Sequence, residues 1–148
     1  MNNSIKEFEN VIHTEIPLSK AMGVKVLSYD GMSLSLMAPL EKNTNHKSTA
    51  FGGSLYSLAV LTGWGWVYLK LYEAQLTGHI VIQKSEIKYL RPITSDIVAH
   101  CRGNIKIDLK KLFVTLEKKQ RCRIPLTVDI AQGEKLAVRF SGSYVIHK

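Results

Sequence analysis

Apolar residues recur along this chain with two periods, and each change of period marks an element. Ile5, Phe8, Val11 and Ile12 fall on one face at helical spacing. Ser4, with Glu7 three residues on, predicts a capping box at the start of that helix. Pro17 is expected to end it, and residues 18–22 form a short second turn stopped by Gly23. Residues 24–29 then read as a strand, Asp30-Gly31 as a hairpin turn, and residues 32–38 alternate apolar and polar as a half-buried partner strand does. Residues 48–69 form a run of 22 without a charge. That length passes the usual screen for a membrane span. Its glycines at 52, 53, 63 and 65, and the amphipathic strands around it that need something to cover, predict instead a helix buried inside a curved sheet. This helix is expected from Phe51-Gly52-Gly53 to about Gln75. Gly63 and Gly65 weaken it by about 1 kcal/mol each relative to alanine, a cost that close packing against the sheet, or a kink, would explain.

Beyond Gly78 the period returns to two. Residues 79–90 suit one continuous strand ending at Arg91-Pro92, and residues 96–103 form the next, with 104–107 as an extension. Leu109, Leu112, Phe113 and Leu116 return to helical spacing, with lysines at 110, 111, 118 and 119 facing out. Residues 124–131 and 136–146 close the chain as a hairpin across Gln132-Gly133-Glu134. The order predicts one α+β domain over residues 1–148, a mainly antiparallel sheet around a central helix.

Composition narrows the partners. An apolar content of 45% with 22% charged residues, over 148 positions, is that of a folded domain. The opening residues have neither a basic nor an apolar signal region, so a cytoplasmic protein is expected. Cys101 and Cys122 stand apart and are read as reduced thiols; His13, His79, His100 and His147 are too scattered for a metal site. The net charge of +8 is concentrated: residues 84–123 hold 11 Lys/Arg against four Asp/Glu. Such a surplus is either a solvated surface or a seat for an anionic partner, such as coenzyme A phosphates or an acidic carrier. Nucleic acid is not expected, because the basic region carries only Tyr89 and Phe113 as aromatics and no recognition motif.

Candidate chemistry gathers where the polar segment 43–49 meets the glycine step. The first N–H groups of a helix lack intrahelical partners and sit at the positive end of its dipole. With Gly52 and Gly53 there, another group can approach the backbone closely, so the start of this helix reads as a seat for an oxyanion or phosphate.

The chain resembles the hotdog-fold thioesterase superfamily, and within it the thioesterase domain found fused to an acetyltransferase in some bacteria. The resemblance is carried by residues 16–23, Ala38-Pro-Leu40, residues 43–58, Gly63-Trp-Gly65, Tyr89-Leu-Arg-Pro92 and Phe140-Ser-Gly-Ser-Tyr144. It implies a sheet wrapped on a central helix, side-by-side dimers that can pair again, and acyl-thioester sites at the dimer interface. In the phenylacetyl-CoA-type branch a His-Gly-Gly step starts the helix, an Asn lies six residues earlier, and an acid nine residues after the His serves as base or nucleophile. Here Phe51-Gly52-Gly53 stands for the step and Asn45 for the Asn, but Val60 occupies the acid's place.

The resemblance therefore implies an oxyanion hole from Gly52, Gly53 and Asn45, with Phe51 on the pocket wall, and no bound cofactor. Coenzyme A or phosphopantetheine enters only as part of the substrate. For hydrolysis, His46 is the candidate base, or else a loop histidine that pins its segment; Ser54, Ser57 and Thr62 can orient water. Decarboxylation of a malonyl thioester needs the hole and a dry wall without a base, and related domains look like malonyl-carrier-protein decarboxylases. A non-catalytic acyl-thioester binding module is the third reading. Lys84 and Lys88 alternate on one strand face near Arg91, where they could meet coenzyme A phosphates or an acidic acyl carrier protein, or simply face solvent.

Overall fold

The computed structural model describes residues 2–148. Helix α1 (Asn2–Glu15) packs on the short helix α2 (Pro17–Ala21), and strands β1 (Lys25–Tyr29) and β2 (Ser33–Ala38) follow as a hairpin. A 3-10 turn (Leu40–Lys42) leads into the long helix α3 (Gly52–Glu73). Strand β3 (His79–Tyr89), strand β4 (Ile97–Arg102), helix α4 (Leu109–Lys119) and the paired strands β5 (Arg121–Gln132) and β6 (Lys135–His147) complete the chain. The six strands form one antiparallel sheet in the order β1-β2-β4-β5-β6-β3.

That sheet curls around α3, which touches β2, β3, β4, β5 and β6. Because strands surround it, the helix is buried on most of its circumference, and this is what permits a charge-free run of its length in the interior. Its two mid-helix glycines are sites of close approach. A Cβ at Gly63 would collide with the Tyr144 ring, and one at Gly65 would lie 2.8 Å from Phe8 Cζ and 3.0 Å from Leu34 Cδ2. The helix runs unbroken through both, so they serve packing and not a kink. No helix among the described residues is long and apolar enough to cross a membrane.

Two expectations are corrected and one is extended. Ser4 lies inside α1, which already runs from Asn2, so it does not cap the helix. Pro17 follows the end of α1 at Glu15, as expected, and it also opens α2, where its missing N–H costs nothing. Residues 104–107 do not extend β4. Gly103 N–H bonds to Met32 O, and a turn closed by Ile107 N–H to Asn104 O leads to α4, whose first turn is capped by the Asp108 side chain accepting from Lys111 N–H at 3.1 Å.

Candidate functional site at the mouth of the central helix

Segment 43–51 is a small closed loop. A bridge pairs Thr44 with Ala50, Asn45 N–H donates to Thr49 O, and Ala50 N–H donates to Ile93 O at 2.8 Å. Asn43 fixes the loop to its surroundings. It is 3% exposed, its Nδ2 donates to Met22 O (2.9 Å) and Pro39 O (2.8 Å), and its carbonyl accepts from Phe51 N–H. Its Oδ1 is buried with no partner among the described residues. The sequence reading passed over Asn43 in favour of Asn45; buried amides inside polar loops carry no periodic signal.

The helix then starts at Phe51 with no side-chain cap. Leu55 N–H to Phe51 O is the first turn's bond, so the N–H groups of Gly52, Gly53 and Ser54 have no carbonyl behind them in the helix. The Phe51 ring folds back over Gly53, where a Cβ would lie 3.0 Å from Phe51 Cζ. Glycine at 53 is thus what lets the exposed ring roof the helix start. Asn45 is half-buried and largely engaged within the loop: Nδ2 donates to Thr49 Oγ1 (2.8 Å), and Oδ1 accepts from the N–H groups of Lys47 (2.8 Å) and Thr49 (3.2 Å). One Nδ2 hydrogen remains outside these bonds. His46 is exposed at the loop tip. Ser54 and Ser57 are half-buried in the first turns, and Val60 is half-buried beyond them. The Val60 carbonyl takes the hydroxyl of Tyr144 at 2.7 Å.

The other predicted residues are placed elsewhere. Lys84 and Lys88 pair with Ser143 and Arg139 on the outer face of β3, turned away from α3, and Lys88 faces Glu86 at 3.9 Å. Arg91 is exposed just past the strand's mouth end. The opposite face of β3 supplies what the sequence reading missed. Tyr89 Oη donates to Gly52 O at 3.0 Å, so β3 clasps the helix start directly, and burial pushes its phenol upward. Ser85 Oγ and Tyr56 Oη share a 2.5 Å hydrogen bond across the same seam. Strand alternation with Lys84, Glu86 and Lys88 was the available signal, since it turns Ser85 and Tyr89 inward together. A bulge between Ile82 and Lys84 sets that phase. Among the described residues no group of three or more His, Cys, Asp or Glu could hold a metal ion.

Comparison with known proteins gives this geometry its relatives. A family model described as Putative thioesterase (yiiD_Cterm) matches residues 5–148. A putative thioesterase from Shewanella oneidensis of known structure is 32% identical, with a TM-score of 0.91 and 100% of each chain covered. A protein of unknown function from Chlorobaculum tepidum is 36% identical, with a TM-score of 0.92, covering 99% of this chain and 96% of its own. A probable thioesterase from Pseudomonas aeruginosa, 15% identical with a TM-score of 0.82 over 96% of this chain and 94% of that one, shares the fold.

Proposed function

The chain belongs to the putative thioesterase (yiiD_Cterm) family with a hotdog fold, and from that premise we propose that it hydrolyses acyl thioesters at the mouth of α3. The observation that carries this reading is the uncapped helix start, where the N–H groups of Gly52 and Gly53 have no carbonyl partner within the helix. Water attacks the thioester carbonyl carbon, and the negative charge that develops on its oxygen is held by these donors. The C–S bond then breaks and the thiol leaves with a proton. A preorganised donor of this kind contributes about 3–4 kcal/mol to the transition state. His46 is the candidate base, and Ser54 and Ser57, half-buried in the first turns of α3, are the candidates to orient water. Phe51 forms the apolar roof, and coenzyme A or phosphopantetheine belongs to the substrate.

A second copy completes the site in this reading. β3 is an edge strand of 11 residues with Val81 46% and Ile82 36% exposed. An open, partly apolar edge of that length invites pairing. Two copies joined antiparallel along β3 would merge their sheets and set the two mouths at the seam.

Val60 favours a second reaction at the same hole. No carboxylate lies in α3 before Glu73. Loss of carbon dioxide from a malonyl thioester needs none: the C–C bond breaks, the electron pair enters an enolate whose oxygen the N–H groups hold, and protonation at carbon gives the acetyl thioester. Mass spectrometry of malonyl- and long-chain acyl thioesters, on coenzyme A and on a carrier protein, separates the readings. Free thiol supports hydrolysis and acetyl thioester supports decarboxylation; an unchanged thioester that binds measurably leaves a binding module. Asn45→Ala should lower either rate about 100-fold or more. Full activity in that variant would remove Asn45 from the hole.

A further inference from the structure

Helix α4 carries a face that neither the fold nor the mouth chemistry uses. Its apolar side is spent on the interior: Leu116 is fully buried in the common core, and Leu109, Leu112 and Phe113 pack against that core. The helix lies against β5 where β5 has lost its other neighbour, since β4 pairs with β5 only from Ala99–Ile130 to Cys101–Val128. On the solvent side, Lys110, Lys111 and Lys118 stand three or four residues from Val114, which is 52% exposed. At helical spacing these four side chains form one patch, a valine ringed by three ammonium groups. Lys119, Arg121 and Arg123 are exposed beyond it. The one acid on the helix, Glu117, is paired with Lys148.

We propose that this face docks an acidic protein surface, that of the carrier bearing the acyl thioester. The proposal rests on the acyl-thioester reading above and adds a partner to it. Charge selects an anionic partner, and the arrangement selects a protein. A helix that binds membranes buries an apolar face among lipids, but here that face is already covered by β5 and the core. One small apolar contact within a ring of lysines instead matches an acidic protein helix, with the lysines steering encounter and Val114 seating it. Topology adds a second reason. The C-terminal end of α4 lies beside the end of β6, through Lys148 N–H to Gln120 O, and His147 pairs with His79 at the start of β3. Tyr89, at the other end of β3, holds the helix mouth. Antiparallel pairing of two β3 edges sets the start of one beside the end of the other. In such a dimer the basic helix of each copy would come to the same end of the assembly as its partner's mouth.

The test is a fluorescence-anisotropy titration of a labelled acidic acyl carrier protein against wild type and against Lys110→Glu/Lys111→Glu/Lys118→Glu. Wild-type binding should weaken with added salt, and the triple variant should bind at least about tenfold more weakly. Val114→Ala is a milder variant expected to show a smaller loss in the same direction. Turnover of coenzyme A thioesters should stay within about twofold of wild type in both variants, because the changes leave the mouth untouched. Unchanged carrier affinity in the triple variant overturns the proposal. So does a wild-type protein that ignores the carrier but binds vesicles containing anionic phospholipid. If no thioester is turned over while carrier binding still depends on the lysines, the docking face stands and the catalytic reading falls.

Discussion

Gly63→Ala sets two rules against each other. In an exposed helix the change would stabilise by about 1 kcal/mol, because glycine loses more backbone freedom on folding. Here the new methyl would overlap Tyr144 Oη and lie 2.6 and 2.8 Å from ring atoms Cζ and Cε2. Tyr144 is fully buried, and its hydroxyl donates to Val60 O at 2.7 Å. The tyrosine must move, which loses about 1 kcal/mol of hydrogen bonding and adds about 1–3 kcal/mol of overpacking. The net is about 2 kcal/mol of destabilisation, or about 4–8 °C in melting temperature for a chain of this length. Thermal unfolding followed by circular dichroism reads it. Because the clash involves ring carbons as well as the hydroxyl, Gly63→Ala/Tyr144→Phe should recover only part of the loss, whereas Gly63→Ala/Tyr144→Val should recover more of the steric component. A Gly63→Ala protein that melts above wild type would refute the close approach of β6 to α3.

Two further perturbations have definite signs. Asn43→Ala strips the Met22 and Pro39 carbonyls of their donor, and a buried polar group left unpaired costs about 1–3 kcal/mol. Chemical denaturation should show a loss of about 2–4 kcal/mol, softened by removal of the unpartnered Oδ1; no loss would mean that the loop is held some other way. Burial pushes the Cys101 thiol from 9.0 up to about 12, so the folded chain keeps a proton that the unfolded chain gives up. Below pH 9 that term is silent. Between pH 9 and about 12 it lowers stability by about 1.4 kcal/mol per unit. Denaturant midpoints from pH 8 to 10.5 should fall more steeply for wild type than for Cys101→Val, and parallel slopes would contradict the buried thiol.

Much of this fold was legible in the sequence. Alternation in 32–38 and 79–89, and helical spacing in 5–12 and 109–116, matched the elements because each buries one face of its own. The 22-residue uncharged run was legible as an enclosed helix only through the amphipathic strands around it. What escaped depends on which faces meet. Period alone does not say that β3 leaves its sequence neighbours to become the edge beyond β6, or that β4 stands between β2 and β5. The clasp of Tyr89 on Gly52 needs that placement, as does the outward turn of Lys84 and Lys88, so the sequence offered the residues without their sides. The glycine step and Asn45 were legible as a candidate site because they lie within one short segment of the chain. The partners of Asn43 are scattered from Met22 to Phe51 and were not.

Both tryptophans of the chain lie on α3, and they occupy different surroundings. Trp64 stacks on Tyr68 at 5.3 Å, a contact within one helix. Trp66 donates from Nε1 to Met32 O at 3.0 Å, and its ring fills the space beside Gly103 that any side chain there would occupy. Met32 and Gly103 belong to the two ends that meet only once β2 and β4 have closed on the helix. The Trp66 environment is therefore a built-in optical gauge of sheet closure. A helix formed ahead of the sheet would leave that indole in water, with red-shifted emission, even after its circular dichroism had become native.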